Sequence, residues 1–451
     1  MRLTILGGGG FRVPLVYGAL LGDRAEGRVS HVALYDEDPA RLSAMARVLA
    51  GQAEAAGLPD APAVTATTDL DEALRGADFV FSAIRVGGLE GRAADERIAL
   101  AEGVLGQETV GAGGVAYGLR TVPVARAIAR RIARTAPDAW VINFTNPAGL
   151  VTEAMAEVLG NRVIGICDSP VGLGRRIARV LGARPEEAWI DYVGLNHLGW
   201  VRGLRVAGRD ELPRLLADAA ALESFEEGRL FGAEWLRSLG AIPNEYLHYY
   251  YFNRDTVRAY REAERTRGAF LRDQQRGFYE EAGRPGLAPG AALAAWDRTR
   301  AEREATYMAE NREAAGAGER EEIDLESGGY ERVALALMRA IARDERATLI
   351  LNVPNGSTLS VLDAEAVIEV PCLVDANGAH PTGVAPLPLH AVGLVTAVKA
   401  VEREVLAAAA SGSRADAVKA FALHPLVDSV AVARRLVEGY AVAHPGLAHL
   451  R

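Results

Sequence analysis

Leu3-Thr4-Ile5-Leu6-Gly7-Gly8-Gly9-Gly10 decides the fold: an apolar run of strand length ends in four consecutive glycines. This pattern predicts a phosphate-cradling turn, because glycine admits positive φ and lets backbone N–H groups approach a pyrophosphate at a helix N-terminus. Pro14 suits the first turn of that helix, which is expected to run through Leu20. Gly7 and Gly9 meet the first two positions of the dinucleotide fingerprint, and Arg12 stands where its third glycine would be. A tight strand–helix turn without a ligand shares these features. Asp36 adds weight to the nucleotide, since an acid ending the next expected strand, 29–35, can bind ribose hydroxyls and favour NAD over NADP. Gly7, Gly8, Gly9, Gly10, Phe11 and Asp36 are the cofactor-binding candidates.

Strands continue to alternate with helical stretches outward from this loop. Segments 79–84, 140–144 and 163–166 read as buried strands, and Asp38-Pro39 as the cap and first turn of a helix. The alternation predicts an α/β fold, a Rossmann-like parallel sheet with helices on both faces. Beyond about residue 200 long charged helices are expected at 258–281 and 298–313, separated by a glycine- and proline-rich loop at 283–290. Strands return at 347–353 and 366–374, and the last part of the chain is helical. The expected division is a nucleotide domain at 1–195 and a mixed α+β, helix-rich substrate, metal-completing and oligomerisation region at 196–451.

Composition excludes several classes. A net charge of −9 gives no attraction to nucleic acid or anionic membrane, and no apolar run is long enough to span a bilayer. Two cysteines, Cys167 and Cys372, cannot build a disulfide framework and suit a reducing compartment, so a cytoplasmic location is expected.

Cys167, in Ile-Cys-Asp-Ser-Pro, and His197, in Gly-Leu-Asn-His-Leu, both fall where strands are expected to end. Ligands of an open parallel sheet bind at such carboxyl ends. A lone cysteine or histidine is more often structural. As a pair they offer too few donors for a closed zinc-type site and would leave coordination open, as a catalytic metal requires. Asn143 and Asn146 follow another strand, and Arg85, Arg92, Asp95 and Glu96 crowd a loop–helix segment where arginines could grip an anion. Tyr246 precedes a run of tyrosines that would ordinarily pack a core; beside a cation its phenol would ionise more readily.

Taken in order, these motifs resemble glycoside hydrolase family 4, the NAD- and divalent-metal-dependent glycosidases, and within it the 6-phospho-β-glucosidases. The resemblance covers nearly the whole chain. It is carried by the glycine loop, Arg85-Val86-Gly87-Gly88-Leu89, Gly106-Gln107-Glu108-Thr109, Leu119-Arg120-Thr121-Val122-Pro123 and residues 143–149. Residues 165–170, Asn196-His197, residues 242–251, Asn352-Val353-Pro354-Asn355 and Val370-Pro371-Cys372 complete it.

The resemblance implies NAD and Mn2+ (or another divalent cation) as cofactors, Cys167 and His197 as metal ligands, and Tyr246 as the base that removes the C2 proton. It places Arg92, Asn146 and Arg267 near a phosphorylated glucoside or disaccharide, with Arg92 on the 6-phosphate, and puts Glu108 and Asn143 in the same pocket. It also implies a homodimer or homotetramer. The residue after the ligand cysteine is Asp168, as in the family's α-acting enzymes rather than the Asn of β-acting ones, while the other motifs look β-like. Asp168 is a candidate acid for the leaving group on either anomer. A plain NAD-dependent sugar dehydrogenase is the alternative from another class.

Overall fold

Six parallel strands meet the expectation for the amino-terminal part. In the computed structural model, which describes residues 1–318, 320, 329–448 and 450–451, they are β1 (Arg2–Leu6), β2 (His31–Tyr35), β3 (Ala63–Thr67), β4 (Phe79–Ser82), β5 (Trp140–Asn143) and β6 (Val163–Gly165). Their order is β3-β2-β1-β4-β5-β6, that of a dinucleotide-binding sheet. Alternate side chains explain why these strands are apolar throughout. Leu3, Ile5, Phe79 and Phe81 pack with Val16 and Leu20 of the helix Val13–Leu21, whereas Leu6, Val80 and Val141 pack with Ile128 and Ile132 of the helix Gly111–Thr135. Both faces are covered, so neither can be polar. Edge strand β3, Ala-Val-Thr-Ala-Thr, is largely exposed and lacks that signal.

The sheet continues past β6. β11 (Ala347–Pro354) pairs antiparallel with β6, followed by β12 (Val367–Asp375), β7 (Ala188–Leu195), β8 (Leu198–Val206) and β10 (Ile242–Pro243). Short β9 (Arg209–Asp210) and β13 (Gly378–Pro381) flank β8 and β12. The division expected at 195/196 falls in the turn between β7 and β8, whose pairing runs from Leu195↔Leu198 to Ala188↔Val206. The two regions therefore differ in strand direction but share one sheet.

Local chemistry sets the helix ends. Asp38 caps the helix Pro39–Ala56 by accepting from the N–H groups of Ala40 and Arg41. The helix expected at 258–281 is two, Asn253–Glu262 and Arg267–Ala282, because Thr266 caps the second by accepting from Ala269 N. The helix expected at 298–313 is likewise Pro289–Ala305 and Ala309–Ala315, parted at Met308, whose φ is 51°. The glycine- and proline-rich loop shortens to 283–288, since Pro289 opens the next helix. Among the described residues no helix is long and apolar enough to cross a membrane.

Candidate functional site

One cavity of about 1370 Å³ begins at Gly7, Gly10 and Phe11, passes Asp36, and reaches Cys167, His197 and Tyr246. Its first end is built by the glycine loop. Gly7 has φ 78°, and a Cβ there would lie 2.5 Å from the Ala83 carbonyl oxygen. Gly8 and Gly9 do not line the cavity. A Cβ on Gly8 would meet that of Leu34 at 2.7 Å, and Gly9 N–H donates to Asp36 Oδ2 at 3.0 Å. These two glycines press the loop against β2, and Gly7, Gly10 and Phe11 face the space where a dinucleotide fits. Arg12 needs no glycine because its φ is −91°. Its guanidinium lies over the rings of Phe144 and Tyr330 and 3.7 Å from Asp168, which accounts for the departure from the fingerprint.

Cys167 follows β6, as expected. Burial pushes its thiol well above the usual range, and the charges of Glu369 and Asp168 add to the shift. His197 differs from the expectation: it sits in the turn of the antiparallel β7–β8 hairpin rather than at the end of a parallel strand. Its φ of 61° is a conformation few non-glycine residues adopt. Thr109 Oγ1 lies 2.7 Å from His197 Nδ1 and donates its own proton to Gln107 Oε1 at 3.1 Å. Thr109 must then accept from Nδ1–H, which leaves the Nε2 lone pair free for a ligand. Burial lowers the imidazole to about 4, so it is neutral near pH 7.

Among the described residues no group of three or more His, Cys, Asp or Glu could hold a metal. One thiol and one neutral imidazole on a shared cavity fit a cation whose remaining positions face substrate. They do not fit a closed structural site.

Tyr246 lies in the short turn Glu245–Leu247, its ring stacked on His197 with centroids 3.6 Å apart and planes within 3°. Tyr307 hydroxyl donates to Tyr246 hydroxyl at 3.1 Å. Burial, with the charge of Glu245, pushes the Tyr246 phenol well above its usual value. Asp168 precedes the helix Ser169–Val180 and lines the same cavity.

On the same cavity Arg92 donates to Glu96 Oε1 at 3.0 Å and to Glu108 Oε2 at 2.5 Å, and Arg85 meets Glu108 Oε1 at 2.5 Å. Burial opposes ionisation of Glu108, but Arg85 and Arg92 outweigh it and hold the carboxyl well below its usual range. Arg267 donates to Thr306 Oγ1 at 2.6 Å and to the Arg303 carbonyl at 2.8 Å. Asn146 lines the cavity but Asn143 does not, correcting the expectation for it. The Asn143 amide donates to Thr145 O, Ala148 O and Thr152 Oγ1, and its Oδ1 accepts from Thr145 N. It shapes the loop that presents Asn146.

Sequence reasoning missed Thr109, Tyr307 and Glu369 as individual residues. Glu369 lies wholly buried on β12 and accepts from Asn196, Asn352 and Tyr192; burial raises its carboxyl to about 7. A glutamate inside the apolar run Val-Ile-Glu-Val-Pro was its available signal. Tyr307 carried none.

The fold and site define a class, a dinucleotide-type α/β protein with an open thiol–imidazole pair beside a tyrosine. Residues 2–183 match the family described as "Family 4 glycosyl hydrolase", and residues 192–427 match "Family 4 glycosyl hydrolase C-terminal domain". The chain belongs to glycosyl hydrolase family 4. It is 31% identical over 460 residues to a maltose-6'-phosphate glucosidase of Bacillus subtilis (strain 168), covering 98% of this chain and 95% of that one. A 6-phospho-beta glucosidase from Thermotoga maritima, solved with NAD and glucose-6-phosphate, superposes with a TM-score of 0.82 at 26% identity, covering 98% of each chain. A 6-phospho-alpha-glucosidase from gut microorganisms, solved with NAD and Mn2+, gives 0.77 at 25% identity over 99% of this chain and 98% of that one.

Proposed function

We propose that this chain hydrolyses 6-phosphoglucosides, with a preference for the β anomer, using NAD+ and a divalent cation such as Mn2+. One observation carries the reading: a single cavity joins the glycine loop, the Cys167–His197 pair with Tyr246 stacked against it, and the arginine-rich end. The higher structural similarity to the β-acting relative supports the anomeric preference.

Bound NAD+ and cation would supply a temporary oxidation of the sugar at C3 and the electron withdrawal that loosens its C2 proton, so that the aglycone leaves by elimination before water adds and the electrons return. Tyr246, as the phenolate that a bound cation would favour, takes the C2 proton, its oxygen accepting from the Tyr307 hydroxyl. A protonated Asp168 on the same cavity donates to the departing glycosidic oxygen. Thr109 fixes the His197 tautomer, and the loop shaped by Asn143 brings Asn146 to the sugar. The arginine-rich end receives the phosphate, for which guanidinium forks are suited. In this reading residues 1–195 hold the nucleotide, and residues 196–451 complete the metal and substrate sites. The exposed apolar side chains Leu389 and Val442 in the carboxyl-terminal helices suit a homodimer or homotetramer.

The test is hydrolysis of four chromogenic glucosides, α and β, each with and without a 6-phosphate, under reducing conditions with NAD+ and Mn2+. Cleavage confined to the 6-phospho-β compound is expected. Cleavage of the α compound would shift the preference to the anomer that Asp168 suggests, and equal cleavage of unphosphorylated sugars would remove the phosphate requirement. Stoichiometric build-up of NADH without cleavage would identify a plain dehydrogenase.

A further inference from the structure

The strands that carry the two candidate metal donors are not neighbours. Cys167 follows β6 and His197 follows β7, and the sheet runs β6-β11-β12-β7, so two strands stand between them. β11 and β12 pair with each other along their length, from Ala347↔Val374 to Pro354↔Val367. Outward, this pair meets β6 at Asn352↔Gly165 and β7 at Glu369↔Gly194. Asn352 and Glu369 also stand opposite each other. Gly165, Asn352, Glu369 and Gly194 therefore form one row across four strands, which starts just before Cys167 and ends just before His197.

The two middle members of this row are polar and wholly buried. Glu369 Oε1 accepts from Asn352 Nδ2 at 2.9 Å and from Asn196 Nδ2 at 3.1 Å, and Glu369 Oε2 accepts from the Tyr192 hydroxyl at 3.2 Å. Tyr192 and Asn196 lie on either side of Gly194, so the carboxyl grips both β7 and the turn that leads into His197. At the other end of the row the backbones come close: a Cβ on Gly165 would lie 2.7 Å from that of Asn352. Apolar packing has no direction and tolerates sliding, whereas hydrogen bonds fix distance and angle. A buried acid without such bonds would cost stability. His197 holds a φ of 61°, which persists only where the surroundings impose it.

We propose that Glu369, with Asn352 and Asn196, forms a buried polar bridge that sets the spacing and aim of Cys167 and His197 toward a shared divalent cation. This rests on the metal reading above. None of the three lines the large cavity, so they act through the two donors as positioning residues. Thr109 fixes the tautomer of the imidazole. The bridge fixes the backbone that carries the imidazole relative to the strand that carries the thiol. It also gives a task to Asn196 and to Asn352 of Asn352-Val353-Pro354-Asn355, for which the proposed reaction has no other use. Partners that orient metal donors in this way govern metal affinity without touching the metal.

The experiment is calorimetric titration of the full chain, kept reduced, with Mn2+ and separately with NAD+, for wild type, Glu369→Leu, Glu369→Gln, Asn196→Ala and Cys167→Ala. Glu369→Leu removes every acceptor and should weaken Mn2+ binding by roughly tenfold to a hundredfold, with NAD+ affinity within about twofold of wild type. Glu369→Gln keeps an oxygen for Asn352 and Asn196 and donates to the Tyr192 hydroxyl, so its Mn2+ affinity should stay within about threefold of wild type. A folded Glu369→Leu chain that binds Mn2+ within about twofold of wild type would overturn the bridge. So would equal losses for Mn2+ and NAD+, the mark of a general loosening. Glu369→Gln departing as far as Glu369→Leu would assign the effect to charge and overturn it too. If Glu369→Leu does not fold, Asn196→Ala decides: an Mn2+-selective loss supports the bridge and its absence overturns it. Cys167→Ala checks the metal reading by itself. If it binds Mn2+ as tightly as wild type, that reading fails and the bridge with it; if it is weakened while Glu369→Leu is not, the reading stands and the bridge alone falls.

Discussion

The nucleotide end and the reacting end of the cavity are built in different ways. The nucleotide end comes from one contiguous strand–loop–helix–strand unit, where Gly7 starts the turn and Asp36 closes the next strand. The reacting end is collected from places far apart in the chain: Thr109 before one helix, Cys167 after β6, His197 in the β7–β8 turn, and Tyr246 in a single turn of helix. A site written in one local unit depends on a short stretch of backbone. One collected across a sheet depends on the tertiary contacts that bring its members together, and each contact can be broken separately.

Replacing Cys167 by alanine should separate the halves most sharply. In the proposed reading it removes one of two protein donors to the cation, and loss of Lewis-acid catalysis costs several kcal/mol, so activity should fall by about a thousandfold or more. NAD+ affinity should be unaffected, because the glycine loop shares no hydrogen bond with Cys167. Activity assays beside NAD+ titration provide the check. A large loss of NAD+ binding would mean that the halves are not independent.

Tyr246→Phe should come next, with kcat reduced by roughly a hundredfold to a thousandfold, the range for removing a positioned base. The ring's stacking on His197 is retained, so metal affinity should change little. Exchange of the sugar's C2 proton in D2O gives the direct reading, and undiminished exchange would exclude Tyr246 as the base. Thr109→Val acts one shell further out. It deprives His197 Nδ1–H of its acceptor and should weaken cation binding by about tenfold to a hundredfold. A Mn2+ titration that overlays the wild-type curve would show that the imidazole is oriented by other contacts.

The same contrast explains what could be read in the sequence. β1, β4, β5 and β6 were legible because covering both faces of a parallel sheet demands unbroken apolar runs. Edge strand β3 was not, because exposure frees it from that demand. Asp36 and Cys167 could be placed from their positions at strand ends. For His197 the strand end was legible, but the stretch just after it, 198–206, does not read as the returning strand of a hairpin, and β12, which pairs with the other side of β7, lies far along the chain. Asn143 reads as a pocket residue in the sequence because spacing cannot show that its amide is consumed by its own loop. Tyr307 gains meaning only from neighbours that folding supplies.

Glu369 offers the smallest and most diagnostic test, through stability rather than rate. Three donors, Asn196, Asn352 and Tyr192, favour its charged form, yet burial outweighs them and raises the carboxyl from its ordinary 4.5 to about 7. Between those two values the folded chain retains a proton that the unfolded chain has released. The stability gained by holding that proton is therefore full below about 4.5 and lost as pH rises to about 7. Glu245, also raised to about 7 by burial, contributes a slope of the same sign. Glu369→Gln cannot titrate, so its melting temperature should fall less steeply than that of wild type across this window, reflecting a stability difference on the order of 1–3 kcal/mol. Parallel melting curves would mean that Glu369 is ionised in the folded chain. The donors from β7, β11 and the β7–β8 turn would then be holding a charge behind His197 rather than a proton.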